Sequence, residues 1–330
     1  MLRDARNILA ALLCWAALAT PAAAGAALVF DSDTGRVLYS EDPDIPWYPA
    51  SLTKMMTAYL AFEAIKEHRA TPETRIYMSA EAHKMPPTRL GMKVGDDITL
   101  NDALRALIMK SANDVAVAIA ETLGGDEMSF VKQMNQKAVE LGMNSTHFIN
   151  PHGLPAEQQI TTARDMAILS QALLHDYPEY ASLYSDTQAT IGKRQIATHN
   201  AIIVSYPGGD GIKTGFTCAS GYNLAASATR DGHRIIAILL GEPNKHKRTS
   251  RAMALLDLGF RTREWKSLFP GPRVENLPRE IVGVGFEPDE RMLKRYRVCK
   301  TPPPVAENKK DDKKKKTVVL KPKKKTASSN

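Results

Sequence analysis

The sequence predicts an α/β fold in which helices cover one antiparallel sheet. Two short strand patterns, residues 26–30 and 36–39, flank the turn Asp33-Thr34-Gly35 near the amino terminus. Three more strand patterns lie late in the chain, at 212–217, 222–229 and 234–240. The segments between these two groups have helical periodicity, except for residues 71–100, which are mixed and turn-rich. A chain of 330 residues with 43% hydrophobic and 24% charged residues has the composition of a globular protein with a substantial core.

The first 24 residues have the pattern of an export signal. Arg3 and Arg6 precede an apolar run from Ile8 to Ala19, and the small residues Ala22-Ala23-Ala24 follow it. The run is too short to span a bilayer comfortably, although an uncleaved signal that anchors the chain has a similar composition. We therefore predict a signal peptide at 1–24 and an exported, periplasmic protein, which leaves open a position peripheral to the inner membrane.

The positive charge of the chain is concentrated in its last residues. Residues 308–330 hold ten Lys and two Asp, which accounts for the formal net charge of +8 of the whole chain. The remainder is formally neutral, so net charge does not indicate a nucleic-acid-binding face. We predict that Pro302-Pro303-Pro304 opens a disordered Lys-rich tail, which is either simply solvated or in electrostatic contact with an anionic membrane or wall polymer.

A serine and a lysine three residues apart open the first helical pattern. The proline-containing residues 43–49 form an extended connection that leads into this pattern. Positions i and i+3 lie on one face of a helix, so the Lys54 amine can reach the Ser51 hydroxyl beside the free N–H groups of the helix start. This arrangement suits an activated nucleophile. The spacing alone is not specific, because Ser129 and Lys132 repeat it.

Two further motifs lie in contexts that suit catalysis. Ser111 and Asn113 fall at the junction between the second and third helical patterns. Lys213-Thr214-Gly215 lies on a predicted strand directly after the Gly-rich turn at 206–211. The helical patterns after the first lie at 103–109, 115–120, 128–141, 163–174 and 247–258.

Ser51-x-x-Lys54, Ser111-x-Asn113 and Lys213-Thr214-Gly215, in this order, resemble the motif set of the penicillin-binding proteins and serine β-lactamases. More narrowly, roughly residues 26–262 resemble the low-molecular-mass D-alanyl-D-alanine carboxypeptidases. The supporting stretches are 150–154, 162–165 and 210–217. The resemblance implies a β-lactamase/transpeptidase-like fold with an all-helical subdomain, peptidoglycan stem peptides as substrates, β-lactam antibiotics as covalent inhibitors, and no cofactor.

Cleavage of an acyl bond at a D-Ala carbonyl needs a nucleophile, a base and a proton relay. Ser51 would be the nucleophile, and Lys54 its base once burial and a nearby cation such as Lys213 lower the amine pKa. Ser111 would pass the proton to the leaving amine, and Asn113 would orient Lys54 and the substrate amide.

The reaction also needs an oxyanion site and a cation for the anionic end of the substrate. The backbone N–H groups of Ser51 and Phe216 would form the oxyanion site, and Gly215 would let a substrate strand approach. Lys213 and Thr214 would lie beside the substrate carboxylate, and Arg248 matches the arginine that related carboxypeptidases contribute to this pocket. The same stretch offers three other cations, Lys245, Lys247 and Arg251.

These motifs predict an exported serine D-Ala-D-Ala carboxypeptidase that trims peptidoglycan pentapeptide stems through an acyl-enzyme at Ser51. The alternatives are a DD-endopeptidase and a non-catalytic protein that binds β-lactams or muropeptides. A class A β-lactamase would need a deacylating Glu in a Glu-x-x-Leu-Asn loop, and residues 140–144 have the wrong spacing; we therefore expect slow release of a bound penicillin. The eight His show no metal-ligand spacing, so no metal site is predicted, and we interpret His152 as a loop-packing residue.

We divide the chain into a signal peptide (1–24), a catalytic domain (25–265), a short extension (266–304) and the Lys-rich tail (305–330). Within the extension, a short strand at 282–286 and a short helix at 289–296 are predicted. Signal cleavage would leave Cys218 and Cys299. Two cysteines in an oxidising compartment can pair, but their number gives no disulfide framework, so their pairing stays open.

Overall fold

The computed structural model describes residues 25–279 and 290–300. Its strands are β1 (Ala27–Asp31), β2 (Val37–Glu41), β3 (Arg75–Tyr77), β4 (Asp97–Thr99), β5 (Gln188–Ile191), β6 (Arg194–Ala197), β7 (Gly209–Thr217), β8 (Gly221–Arg230) and β9 (His233–Glu242). Five of them form one antiparallel sheet in the order β2-β1-β9-β8-β7. The predicted fold, one antiparallel sheet built from both ends of the chain and flanked by helices, is confirmed.

The helices lie mainly between the two groups of strands. They are α1 (Lys54–Lys66), α2 (Ala80–His83), α3 (Leu100–Arg105), α4 (Asn113–Gly124), α5 (Glu127–Glu140), α6 (Ala163–Asp176), α7 (Ser182–Ser185), α8 (Ala201–Ser205), α9 (Lys245–Ser267) and α10 (Glu290–Lys300). None of these described helices is both long enough and apolar enough to cross a membrane.

The sheet has an apolar surface on both faces, because alternate residues of a strand point to opposite sides. Leu28 and Phe30 of β1 join the larger core with the central helices, whereas Val29 joins a smaller core with Leu255 and Leu256 of α9. The sheet is therefore a middle layer, with α9 on one side and the central helices on the other. This position explains why β1, β8 and β9 are rich in uncharged residues.

Several elements differ from the sequence prediction. The region 71–100, expected to be only turn-rich, contains α2 and the strand pair β3–β4. The hairpin β5–β6 was not predicted, because two four-residue strands give a weak period and depend on the packing of their neighbours. Helix α9 continues nine residues past the predicted end at 258, and it crosses the boundary placed between 265 and 266.

The residues after α9 pack back onto the domain. Arg36 pairs with Arg273 in an antiparallel bridge, and buried Arg164 donates to the carbonyls of Val274 and Leu277 at 3.0 and 2.7 Å. The short helix predicted at 289–296 is confirmed by α10. The signal peptide, the strand predicted at 282–286 and the Lys-rich tail lie outside the described residues.

Helix α10 is attached beside the end of β7. Cys218 and Cys299, whose pairing the sequence left open, form a disulfide. Met292 packs in a small apolar cluster with Tyr48 and Ala219, and the Tyr48 and Tyr296 rings lie 5.8 Å apart. The extension is thus joined covalently and by apolar contacts to the turn that follows β7.

Candidate active site

Ser51 lies in a tight 3-10 turn, Ala50–Thr53, that leads directly into α1. The preceding Ala50 has a left-handed backbone with φ +49°, which costs energy in a residue with a Cβ and has to be held by its surroundings. Asn223 on β8 supplies part of that hold, because its amide donates to the carbonyls of Tyr48 and Pro49 at 2.9 and 3.0 Å. The serine is therefore held against the sheet by a buried side chain from a distant strand.

The Lys54 amine is fully buried and close to Ser51. Its Nζ lies 3.2 Å from Ser51 Oγ and 2.8 Å from Asn113 Oδ1, and it also donates to the His152 carbonyl. Burial lowers the pKa of Lys54 well below its ordinary value, the nearby Lys213 lowers it further, and Asp114 acts in the opposite direction. Burial and the nearby cation therefore favour the neutral form of this amine, which lies within reach of the serine hydroxyl.

Ser111 and Asn113 lie at the helix junction that the sequence indicated, and Asn113 contacts Lys54 there. Helix α3 continues as a π-helical segment, Ala106–Lys110, which ends at Ser111 in a left-handed conformation with φ +60°. Asn113 opens α4, and its Nδ2 donates to the Pro86 carbonyl at 2.9 Å, so the opposite amide atom, Oδ1, points to Lys54. The buried Ser111 Oγ has no hydrogen-bond partner among the described residues.

The loop 150–154 closes the buried side of the lysine. The Asn150 carboxamide oxygen accepts the N–H groups of His152 and Gly153 at 3.3 and 2.7 Å, and the His152 ring accepts the Leu154 N–H at 3.1 Å. A Cβ on Gly153 would lie 1.9 Å from the Ala50 carbonyl oxygen, so only glycine permits this approach. His152 does pack within the loop, as interpreted from the sequence, but its carbonyl is also a Lys54 partner.

The edge strand β7 forms the opposite wall. A Cβ on Gly215 would lie 3.1 Å from the Pro49 carbonyl oxygen and 3.2 Å from the Ser51 nitrogen, so the strand and the serine turn approach closely because position 215 is glycine. The Phe216 ring, half exposed, stacks on Tyr222 with centroids 4.2 Å apart. Because β7 is at the end of the sheet, its outer edge faces the site rather than another strand of that sheet.

Two buried cations lie beyond Gly215. Lys213 Nζ donates to the Thr214 carbonyl at 3.0 Å, and burial, helped by the charge of Arg248, lowers the pKa of Lys213 to about 7. Arg248 is only 4% exposed, and its Nε has no hydrogen-bond partner among the described residues. In contrast, Arg251 is bound to Glu242 and Glu41 at 2.6 and 2.9 Å, and Lys245 and Lys247 are exposed.

A cavity of about 340 Å³ joins these walls. Its lining includes Ser51, Asn113, Thr214, Gly215, Phe216, Lys245 and Arg248. Within the described residues, no group of three or more His, Cys, Asp or Glu is arranged to hold a metal ion. The cavity therefore has a serine backed by a buried amine of lowered pKa at one side and cations at its end, which is a set suited to acyl transfer on an anionic substrate.

Six of the nine residues that the sequence singled out line this cavity. Of the other three, Lys54 is bound to Ser51 and Asn113, and Ser111 and Lys213 are buried within two residues of Asn113 and Thr214. The sequence did not predict three contacts: the His152 carbonyl with Lys54, the Asn223 amide with the carbonyls before Ser51, and the Tyr222 ring with Phe216. His199 and Leu154 also line the cavity and were not predicted. Only the loop 150–154 carried a sequence signal that could have indicated such a contact, namely its turn residues Asn-Pro-His-Gly. The other contacts depend on pairings between distant parts of the chain, which no local pattern encodes.

Comparison with known proteins identifies relatives over most of the chain. The family model described as "D-alanyl-D-alanine carboxypeptidase", peptidase S11, matches residues 16–244. The chain is 35% identical over 250 residues to the D-alanyl-D-alanine carboxypeptidase DacF of Bacillus subtilis (strain 168), covering 74% of this chain and 64% of that protein. It is 36% identical to DacC of Escherichia coli (strain K12), covering 71% and 60%. The chain thus spans less than two thirds of the length of these curated relatives.

Solved structures agree with this assignment. Penicillin-binding protein 5 from Haemophilus influenzae superposes with a TM-score of 0.70 at 33% identity, over 72% of this chain and 71% of that one. The ampicillin-bound penicillin-binding protein D2 from Listeria monocytogenes superposes with a TM-score of 0.67 at 31% identity, over 72% and 97%. The chain belongs to the peptidase S11 family of D-alanyl-D-alanine carboxypeptidases.

Proposed function

We propose that this chain is an exported serine D-alanyl-D-alanine carboxypeptidase that removes the terminal D-Ala from peptidoglycan pentapeptide stems. The observation that carries the proposal is the buried Lys54 amine, whose pKa is lowered and whose Nζ lies 3.2 Å from Ser51 Oγ. A neutral amine at this distance can remove the hydroxyl proton as the oxygen attacks. Membership in the family and the close packing of the three motifs around one cavity support the same reaction.

In the acylation step, Ser51 Oγ attacks the carbonyl carbon of the penultimate D-Ala while its proton moves to Lys54 Nζ. The carbonyl oxygen becomes an oxyanion beside the Ser51 and Phe216 N–H groups, where fixed dipoles stabilise it without reorganisation. The close approach that Gly215 allows between β7 and the serine turn supports this placement. The intermediate then collapses, and the bond to the terminal D-Ala nitrogen breaks.

The leaving amine must receive a proton when that bond breaks. Ser111 is suited to carry it, because its Oγ is buried at the junction beside Asn113 and has no partner within the described part of the chain. Asn113 holds Lys54 through Oδ1 and so keeps the donor of that proton in place. Water then attacks the acyl-enzyme, with Lys54 again as the base, and releases the shortened stem and Ser51.

The cationic end of the cavity favours the carboxypeptidase over the endopeptidase. A terminal D-Ala presents a carboxylate just beyond the scissile bond, whereas a cross-linked substrate continues there as a chain. Arg248 and Lys213 are buried with no acidic side chain bonded to them among the described residues, so both charges are costly until an anion arrives. Binding energy gained there is specific to substrates that end at that position.

A labelled penicillin tests the proposal directly. The strained amide of the drug should acylate Ser51, and peptide mapping should recover the label on the peptide that contains this residue. Ser51→Ala should abolish labelling and D-Ala release, whereas Ser129→Ala, the serine of the other Ser-x-x-Lys sequence, should change neither. Release of D-Ala from a pentapeptide then separates an enzyme from a non-catalytic binding protein, and a label that maps to Ser129 would overturn the assignment.

Export and surface contact complete the proposal. The amino-terminal pattern at 1–24 supports periplasmic localisation after signal cleavage. The ten lysines of 308–330 support an electrostatic contact with anionic lipid or wall polymer, at about 1 kcal/mol for each Lys near an anionic membrane. Deletion of 305–330 should lower sedimentation with anionic vesicles at low salt, and equal sedimentation of both forms would remove the membrane from the proposal.

A further inference from the structure

A second cavity lies at the opposite end of α9 from the catalytic cavity. Its volume is about 180 Å³, and it shares no lining residue with the catalytic cavity. Arg263, which lines it, lies fifteen residues beyond Arg248 on α9, or about 22 Å along the helix axis. The two cavities are therefore separate sites on one helix.

Cations dominate the lining of this second cavity. Three guanidinium groups border it, those of Arg36, Arg263 and Arg273. Lys266 adds a fourth cation nearby, because its Nζ donates at 2.6 Å to the carbonyl of Leu38, another lining residue. The hydroxyl residues Thr34 and Ser267 supply further polar groups.

The single carboxylate among the lining residues is already fully engaged. Asp31 Oδ1 accepts the Thr34 N–H and the Thr34 hydroxyl, both at 2.9 Å, and Asp31 Oδ2 accepts Arg263 Nε at 2.6 Å. Arg36 donates to the Phe269 carbonyl, which carries no charge. Arg273 has no ion pair with any residue that the structure describes. Glu275 lies close to Gly35, but within the described residues neither it nor any other carboxylate forms an ion pair with Arg36, Lys266 or Arg273, so these cations are free to bind an added anion.

We propose that this second cavity binds a phosphate-bearing anion. Planar guanidinium groups bind phosphate oxygens through paired N–H donors, and several of them around one concave site give both charge and geometry. Asp31 holds the Arg263 guanidinium group and the Phe269 carbonyl holds that of Arg36, so these two groups are positioned before a ligand binds. Arg273 lies on the backbone segment that pairs with Arg36, and its exposed side chain lines the same cavity. A cavity of about 180 Å³ accommodates one phosphate group.

Exposed apolar residues that neighbour the lining residue Ser267 in sequence indicate how two sources of phosphate can be told apart. Leu268 and Phe269 directly follow α9 and are 78% and 60% exposed, and Trp265 is 52% exposed. Free phosphate would use only the cations, whereas the headgroup of an anionic phospholipid would also place an acyl chain against these apolar side chains. The same cationic cavity serves both ligands.

Titration calorimetry of the full chain with inorganic phosphate tests the site. Arg273→Gln is the primary variant, because the Arg273 side chain has no ion pair to lose among the described residues. The double variant Arg36→Gln, Arg273→Gln should weaken phosphate binding further. Each lost charge-assisted contact should weaken phosphate binding at least about tenfold. Arg194→Gln, an exposed arginine outside the cavity, is the matched control and should bind as wild type does. Thermal unfolding of each variant verifies that it is folded.

A second titration uses dihexanoyl phosphatidylglycerol below its micelle concentration. Binding at least about tenfold tighter than inorganic phosphate, lost in Leu268→Asn with Phe269→Asn, would support the site with a lipid as the source of phosphate. Equal affinity for both probes would support the site with free phosphate as the source. Folded Arg273→Gln and double variants that bind phosphate as wild type does, or no binding to wild type at millimolar phosphate, would overturn the proposal.

Discussion

Replacement of Lys213 by Met should make the protein more stable at neutral pH while it removes D-Ala release. The Lys213 amine is 1% exposed, and burial followed by the charge of Arg248 lowers its pKa from 10.5 to about 7. An unfolded chain at pH 7 holds this proton fully, whereas the folded chain holds it only in part. The native protein thus carries a destabilising group, to which the proposed function assigns the substrate carboxylate.

The size of the effect follows from the two pKa values. A shift from 10.5 to about 7 costs the folded state about 4 kcal/mol at pH 7. Because the unfolded chain binds more protons between pH 7 and 10.5, the unfolding free energy of the native protein rises with pH there, and the cost falls to about 2 kcal/mol at pH 9. Met has a similar volume but leaves the Thr214 carbonyl without its donor, at about 1 kcal/mol. Lys213→Met should therefore gain about 3 kcal/mol at pH 7 and about 1 kcal/mol at pH 9.

Equilibrium urea denaturation at both pH values, with the disulfide intact, measures this difference. Lys132→Met, on an exposed face of α5, is the matched control and should change the unfolding free energy by less than about 0.5 kcal/mol at either pH. A Lys213→Met variant that is less stable than wild type at pH 7, or whose gain does not shrink between pH 7 and 9, would refute the reasoning.

Three further predictions concern the catalytic base, the carboxylate pocket and the disulfide. Arginine stays protonated at all accessible pH values, so Lys54→Arg should abolish pentapeptide turnover. The kcat/KM of the wild type should rise with pH as Lys54 deprotonates. A Lys54→Arg variant that turns over the pentapeptide near the wild-type rate would exclude Lys54 as the base. Arg248→Ala should raise the barrier for D-Ala release by about 1.5 to 3 kcal/mol and slow penicillin acylation less; kinetics in which Lys245→Ala or Arg251→Ala is impaired instead would move the role to that neighbour. Cys299→Ser removes a disulfide between residues 81 apart in sequence and should lower the unfolding free energy by about 2 to 4 kcal/mol. Dithiothreitol should lower the unfolding free energy of the wild type but not that of the variant. Equal sensitivity of the two proteins to the reductant would contradict this prediction.

The sequence by itself determined the parts of the site that depend on local geometry. The spacing of Ser51 and Lys54 places both on one side of a helix start, and the junction between two helical patterns locates Ser111 and Asn113. The strand patterns at the two ends of the chain predicted one antiparallel sheet, because apolar segments of this kind bury their faces together. Hydrophobic periodicity and turn residues are local signals, so they can be recognised before the chain is folded.

Only the tertiary structure decided which groups are buried and which partners they meet. Lys54 meets Asn113 across 59 positions of sequence and the His152 carbonyl across 98, and its lowered pKa depends on that enclosure. Among the cations that open α9, packing buries Arg248 at the cavity and pairs Arg251 with two carboxylates. The physical reason is that desolvation and charge pairing are set by contacts between residues remote in the chain, and these contacts exist only once the sheet and helices have packed.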